Sequence, residues 1–528
     1  MLGEEVFVEP FIIRLFLATI ALFFLYWYTT KGFDYWKKRG IPYVKPVVPF
    51  LGSLLPLFWR PSFKVDLERY RKLGPIYGQF DGSRPVLAVA DLELVREILV
   101  KEFPSFTDRR ISHFLSDTDV LKSMLFVLSG EEWKQMRAVL SPCFTPAKIK
   151  RVVNIIKECA QVTAENFRTA AKSGKSVQVK KFYVTYAMDV IASAAFSVQL
   201  DSYNDPRNKF FQNAEKAFST HFNMKYAFHQ LCPRLAKWCG VQVISQEPLY
   251  YFKEVVLQII KHRRKTGETR NDFLQFMLDT MKEDSQEPKE DIGNGNDYEK
   301  DKNSKKIANK GLTLDEAVAQ SVSFFIAGYD TMASTVSYVT YLLALHPEAQ
   351  DRTFEEIRDA LQETKGELTY GALQEMKYLD NVISESMRLY PAVPRLERTA
   401  TSDCTLGDTG IKIEKGMVII IPTYCLHRDP NLFENPEKFD PDRFSPEERA
   451  KRDPYSYIPF GDGPRYCLGM RYALMQVKVC IVYVVANFKI LKCPETKVPL
   501  DFHHGPGLMI PKKIALKFEE RADKIELR

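Results

Sequence analysis

Close cysteine pairs, a strong charge of either sign and long strand-like stretches are all missing from this chain. Its nine cysteines are odd in number and unpaired in spacing, which argues against a disulfide framework and for a reducing compartment. Lys and Arg number 74 against 67 Asp and Glu, so the formal net charge of +7 is mild and spread out. Nothing in that distribution suits a nucleic acid, whereas a basic face toward an acidic protein or a membrane remains compatible with it. Strand signals are few. Val86-Leu-Ala-Val89 follows the turn residues Asp81-Gly82, and the next such stretch is Lys412 to Ile421. What is abundant is core material: 45% of the residues are apolar, with 36 Phe and 25 Tyr. Helical periodicity between the few strand signals makes the fold mainly α with small β-sheets (α+β), one large domain behind an anchor.

The anchor is Phe11 to Tyr28, apolar but for Arg14 and a few small residues. At about 1.5 Å per helical residue it spans roughly 27 Å, close to the hydrocarbon thickness of a bilayer. A cleaved signal peptide has a basic start and a small-residue cleavage site. This segment instead begins with Glu4, Glu5 and Glu9 and ends in the interfacial aromatics Tyr26-Trp-Tyr28. Lys31, Lys37, Lys38 and Arg39 follow, so the positive-inside rule predicts a single-pass helix with the remainder cytosolic and Arg14 snorkelling near the lumenal end. Pro42, Pro46 and Pro49 stiffen the exit. The expected division is an anchor at 1–30, a basic and proline-rich linker at 31–52 and a catalytic domain at 53–528. Lys282 to Lys310, rich in charge with little to bury, reads as a disordered surface insertion.

The chemistry centres on Pro459-Phe460-Gly-Asp-Gly463-Pro-Arg465-Tyr-Cys467-Leu-Gly469. Glycines and a proline around one cysteine build a tight loop that holds a sulfur at its end. Cys467 has no Cys or His two to four residues away, so a tetrahedral zinc site is disfavoured and a single thiolate points to haem iron. Loop amides and the helix expected over Met470 to Val485 should both favour the anion. The alternative is a buried structural cysteine beside a turn.

Three helical patterns accompany the loop. Trp133 and Arg137, at i and i+4, share a helix face and can both donate to a carboxylate. Thr313-Leu-Asp-Glu316 is a capping box that opens an apolar helix of about 30 residues, far beyond the mean of about 11–12, ended by His346-Pro347. In its middle Ala327 and Thr331 lie on one face with Gly328 adjacent, leaving room for a flat cofactor. Glu385 and Arg388 are three apart on a helix ended near Pro391. As an exposed pair they are worth under about 1 kcal/mol.

The cysteine loop resembles the cytochrome P-450 signature Phe-x-x-Gly-x-x-x-Cys-x-Gly, matched here by Phe460, Gly463, Cys467 and Gly469. The likeness runs from Pro42 to about Leu516 and is nearest to the animal microsomal family 3A-like enzymes, through Glu132-Trp133 to Arg137, Ser141-Pro142, Ala327 to Thr331, Arg395-Leu-Glu-Arg398 and Leu426-His427-Arg428-Asp429-Pro430. It implies haem b with Cys467 as axial thiolate. Arg109, Trp133, Arg137 and Arg398 would then hold the propionates, with Ala327, Phe460, Arg465 and Gly469 also around the haem. Thr331 and Asp330 would deliver protons during oxygen activation. Glu385, Arg388 and Arg443, from Pro441-Asp-Arg-Phe444, would form a buried cluster, and Leu125, Phe126, Ile326, Ala392, Val393 and Leu508 would line the substrate pocket. Asp330 stands where those relatives often carry Glu, and Pro394 changes a substrate-facing loop, so substrate identity does not carry over.

The implied activity is monooxygenation of lipophilic compounds (xenobiotics, steroids or fatty-acid-like molecules) at the endoplasmic reticulum membrane. Electrons would come from NADPH through NADPH-cytochrome reductase, with cytochrome b5 as a further partner. A haem-thiolate isomerase or dehydratase acting on a peroxide needs no proton relay, so the Asp330-Thr331 pair favours the monooxygenase. A non-enzymic haem or lipid-binding membrane protein is separated from both by NADPH-dependent turnover.

Overall fold

The computed structural model describes residues 5–527, apart from 111–118, 197, 199, 201–202, 204, 206–207, 219–227, 229–232, 242–244 and 284–310. The polar run read as a surface insertion therefore lies outside the described residues from 284 onward.

Eight helices matter for the site: α1 Glu5–Thr30, α2 Gly130–Leu140, α3 Pro146–Lys172, α4 Val179–Phe196, α5 Gln246–Thr266, α6 Leu314–Leu345, α7 Lys377–Leu389 and α8 Met470–Asn487. The strands are β1 Ile76–Asp81, β2 Arg84–Val89, β3 Val177–Gln178, β4 Leu396–Thr399, β5 Cys404–Leu406, β6 Ile411–Ile413, β7 Val418–Ile421, β8 Phe488–Leu491 and β9 Ala515–Glu520. β1 and β2 form the hairpin expected at Asp81-Gly82, and the four-stranded sheet runs β1-β2-β7-β4, with β2 and β7 parallel. The other sheets are β3-β9-β8 and β5-β6.

α6 is 32 residues long and opens on the expected capping box: Thr313 Oγ1 accepts from the Glu316 amide while the Glu316 carboxylate accepts from the Thr313 amide. Most of its side chains are buried because it crosses the interior, with α4 along one flank. α8 is buried all round from Met475 to Asn487 for the same reason, wedged between α3 and α6, and its Lys478 pairs with Asp380 of α7. α7 stops at Leu389, with Tyr390 as C-cap, since the residue before Pro391 is driven out of helical geometry.

Phe11–Thr30 of α1 is long and apolar enough to cross a membrane, and from Phe11 to Tyr28 its side chains are exposed, with burial beginning only at Thr29. Lys31 Nζ lies over the rings of Trp27 and Tyr28, at 5.4 and 4.8 Å. The following segment packs onto the first sheet rather than hanging free. Trp36 is fully buried against Gly78, where a Cβ would fall 2.3 Å from the indole, and its Nε1 donates to the Gln79 carbonyl at 3.0 Å.

Candidate functional site

The cysteine loop is shaped by contacts that only glycine permits. Gly463 has φ +71°, and a Cβ there would sit 1.8 Å from the Leu99 carbonyl oxygen, so the loop presses directly on the neighbouring backbone. The Tyr466 amide donates to the Gly463 carbonyl at 3.0 Å, and the Cys467 amide donates to the Phe460 carbonyl at 2.9 Å. Gly469 is the N-cap of α8, which puts the sulfur beside that helix's N-terminus as expected. The electrostatics differ from the expectation. Burial pushes the Cys467 thiol up from its ordinary value, and this outweighs the Gly469 amide, Arg137 and Arg109, which pull it down. Loop amides and a helix end do not by themselves make the anion here; a metal cation at the sulfur would supply the missing charge.

Beside the loop lies a cluster of arginines with almost no acid among them. Arg398 on β4 is 1% exposed and Arg465 3% exposed. Arg109 Nη2 donates to the Arg465 carbonyl at 3.2 Å, Arg398 Nη1 to the Glu397 carbonyl at 2.9 Å and Arg465 Nη2 to the Leu128 carbonyl at 2.6 Å. Arg398 Nε and Arg465 Nε and Nη1 find no hydrogen-bond partner among the described residues. Burial first, and then Arg109 and Arg465, push Arg398 well below the ordinary arginine range. Burial and Arg109 bring Arg465 down to about 9. Buried, mutually repelling guanidinium groups with orphaned N–H donors require anions from elsewhere. The two propionates of haem b have the charge and acceptor geometry that this cradle lacks.

Neighbouring residues hold the cradle in place. The Asp108 carbonyl accepts from the Thr399 amide at 2.8 Å and its carboxylate accepts from the Gly130 amide at 3.0 Å, so Arg109 is pinned between β4 and α2. Trp133, on α2, is buried with the Arg465 guanidinium 4.4 Å from its ring centre. Arg137 lies on the same helix, 4.7 Å from the Tyr466 ring centre. Arg110 takes the adjacent carboxylates: it pairs with both Asp81 and Glu397. Acids and bases are thus sorted, with the carboxylates on Arg110 and the cradle left cationic.

On α6, Ala327 is exposed although Phe325, Met332 and Ala333 are buried. Thr331 Oγ1 donates to the Ala327 carbonyl at 2.7 Å, so the two share a face. Gly328 does not belong to that face. Its Cβ position is 2.8 Å from Ile191 Cδ1 on α4, so this glycine serves helix approach rather than cofactor room. Asp330 forms an ion pair with Lys180 of α4 at 2.8 Å, a partner that sequence reasoning missed. Lys180-Lys181 at a helix start looks like a solvated charge pair until α4 is laid against α6.

Glu385 and Arg388 are fully buried and bidentate, at 2.6 and 2.8 Å. Arg388 also donates to the carbonyls of His427, Pro436 and Lys438. Arg443 Nε stands 3.5 Å from Glu385 as a charge contact, while its Nη2 donates to the Asn435 carbonyl. Leu125, Phe126 and Ile326 are half-buried against a core that includes Met124, Val322 and Phe325, and the Leu125 amide donates to Gln320 Oε1 at 3.0 Å. Ala392 and Val393 are half-buried. The Met509 amide donates to the Ala392 carbonyl at 3.0 Å, which brings the partly exposed Leu508 beside them.

A model of the family described as cytochrome P450 matches residues 42–518. The chain belongs to the cytochrome P450 family. It is 38% identical over 512 residues to cytochrome P450 3A11 of Mus musculus, with 96% of each chain covered. It is 38% identical to cytochrome P450 3A9 of Rattus norvegicus and 36% identical to cytochrome P450 3A7 of Homo sapiens, with 96% of this chain and 97% of each relative covered. This cytochrome P450 is a monooxygenase that carries haem b on a cysteine thiolate and acts on lipophilic substrates.

Proposed function

We propose that this cytochrome P450 is a single-pass protein of the endoplasmic reticulum membrane whose cytosolic domain oxygenates large lipophilic molecules. Its electrons come from NADPH through NADPH-cytochrome reductase, with cytochrome b5 as a second donor. The observation that carries the reading is the acid-poor arginine cradle beside the glycine-framed Cys467 loop, with buried guanidinium N–H donors left without acceptors among the described residues.

The Cys467 thiolate would hold the haem iron, and Arg109, Arg137, Arg398 and Arg465, with Trp133, would hold the two carboxylates of haem b. When bound, haem b supplies the electron-transfer and O₂ chemistry, with the thiolate as electron donor. The remaining work falls to the chain itself. Apolar Leu125, Phe126, Ile326, Ala392, Val393 and Leu508 take up substrate by desolvation and exclude water. The Thr331 hydroxyl holds a proton on the cofactor face of α6, and Asp330, on the α4 flank, exchanges protons with solvent beside Lys180. Glu385, Arg388 and Arg443 form a buried charge cluster that would hold the segments around the cysteine loop in place.

Reconstitution in phospholipid vesicles with reductase, O₂ and a panel of lipophilic compounds tests this. The expected result is product formation that requires both NADPH and reductase and rises with cytochrome b5. Turnover of a fatty hydroperoxide alone, with none in the presence of NADPH and reductase, overturns it.

A further inference from the structure

His427 joins the buried Glu385–Arg388 pair to the segment that enters the cysteine loop. Its carbonyl accepts from Arg388 Nη1 at 2.7 Å, and its ring Nε2 accepts from the Ile458 amide at 3.2 Å. Two residues further on, the Phe460 carbonyl accepts from the Cys467 amide at 2.9 Å. The ring is fully buried and lies 5.2 Å from the Tyr457 ring at 31°. Tyr457 in turn donates its hydroxyl to the Ser384 carbonyl, next to Glu385. One residue therefore links the ion cluster, through Ile458 and Phe460, to the backbone of the cysteine loop.

The protonation of that ring follows from its contacts. Nε2 accepts, so it bears no proton, and the proton of the neutral ring is on Nδ1. Burial, with Arg388 and Arg428 nearby, pushes the imidazole down to about 3, so the ring is neutral at neutral pH. Nδ1 has no hydrogen-bond partner among the described residues. A buried donor without an acceptor is costly, and an apolar side chain of similar size would remove that cost. The one thing such a side chain would not supply is an acceptor for the Ile458 amide. The histidine is therefore held there for Nε2.

We propose that His427 is a positioning residue for the thiolate loop: its neutral, Nδ1-protonated ring fixes Ile458, and through Phe460 the placement of the Cys467 sulfur, in register with the Glu385–Arg388 cluster. The inference rests on Cys467 being the axial ligand. Loss of the acceptor should loosen the sulfur while leaving the fold in place, whereas glutamine, which carries an amide oxygen, should substitute for it.

The test compares full-length wild type, His427→Leu and His427→Gln as ferrous carbon monoxide complexes. Two quantities are read: the fraction of haem with the red-shifted thiolate band, and the rate at which that band converts to the normal position on mild warming. His427→Leu should convert about tenfold faster than wild type, as loss of one buried hydrogen bond implies. His427→Gln should stay within about threefold, and both should keep wild-type far-ultraviolet circular dichroism. Hydrogen exchange of the wild-type Ile458 amide should be slow. Equal conversion rates in all three proteins overturn the proposal, as does equal acceleration in both variants or an unprotected Ile458 amide. If His427→Leu does not fold, wild-type behaviour of His427→Gln together with a protected Ile458 amide sustains the proposal. A wild-type protein that shows only the normal band fails at the Cys467 assignment on which the proposal rests, and is thereby told apart from failure at His427, where wild type shows the red-shifted band and the variants do not differ from it.

Discussion

Asp330, beside the threonine of the central helix, is tied to Lys180 of the neighbouring helix at 2.8 Å, with each side chain just under one-fifth exposed. The acid therefore lies on the flank of α6, while Thr331 shares the face of Ala327. Removing the cation should strand a partly buried carboxylate. Lys180→Met is expected to slow NADPH-supported product formation about tenfold with haem content unchanged, and Lys180→Arg to retain most of it. The double variant Lys180→Met/Asp330→Asn should be no slower than Asp330→Asn alone. Additive losses would separate the lysine from the acid.

Thr331 is expected to control where reducing equivalents go. Thr331→Ala removes the hydroxyl on the cofactor face but no packing of consequence, so haem, substrate binding and NADPH consumption should persist while hydrogen peroxide replaces product. General acid–base participation is typically worth about 10²–10⁴-fold, ample to detect in product per NADPH. Wild-type coupling would assign the step to another group.

Removal of residues 1–30 should free the protein from strong membrane integration and leave haem incorporation intact, because Phe11 to Tyr28 are exposed and only the last turn of α1 meets the domain. Extending the deletion through Trp36 should be different in kind. That indole is fully buried on Gly78, and losing such a side chain typically costs about 3–5 kcal/mol. Unfolding midpoints of the two truncations, with alkaline extraction from membranes, check both statements. Equal stability would show that Trp36 contributes little.

His427 also sets a pH dependence. Its ring is held at about 3 when folded, against an ordinary 6.5. Between those values the unfolded chain binds more protons, so the histidine's contribution to stability is complete above about pH 6.5 and is lost progressively as pH falls toward 3. Chemical denaturation at pH 7 and pH 5 should show wild type losing up to about 1.4 kcal/mol per pH unit more than His427→Gln. Parallel losses would place the acid sensitivity elsewhere.

Local features were readable from sequence, and features made by distant partners were not. The capping box at Thr313, the turn at Asp81-Gly82 and the glycine-framed cysteine depend on residues a few positions apart. β4 is four residues long and exists through pairing with β7 and a bridge from Asp108, so no run of sequence announces it. The thiol was expected to favour its anion because amides and a helix end are local, but burial, contributed by everything packed around it, outweighs them. The small residues Ala327 and Thr331 are neighbours on the helix period, whereas the approach of Ile191 to Gly328 depends on α4. Lys180 and His427 carry no local signature, since their roles appear only when α4 meets α6 and when Ile458 meets Nε2.

The central claim is that Cys467, alone among nine cysteines, holds the haem iron. The most direct measurement is the absorption spectrum of the ferrous carbon monoxide complex in wild type and Cys467→Ser. The account predicts the red-shifted Soret band of thiolate ligation in wild type and its complete loss in Cys467→Ser. A normal Soret position in well-folded wild type, or a red-shifted band that survives the substitution, would contradict it.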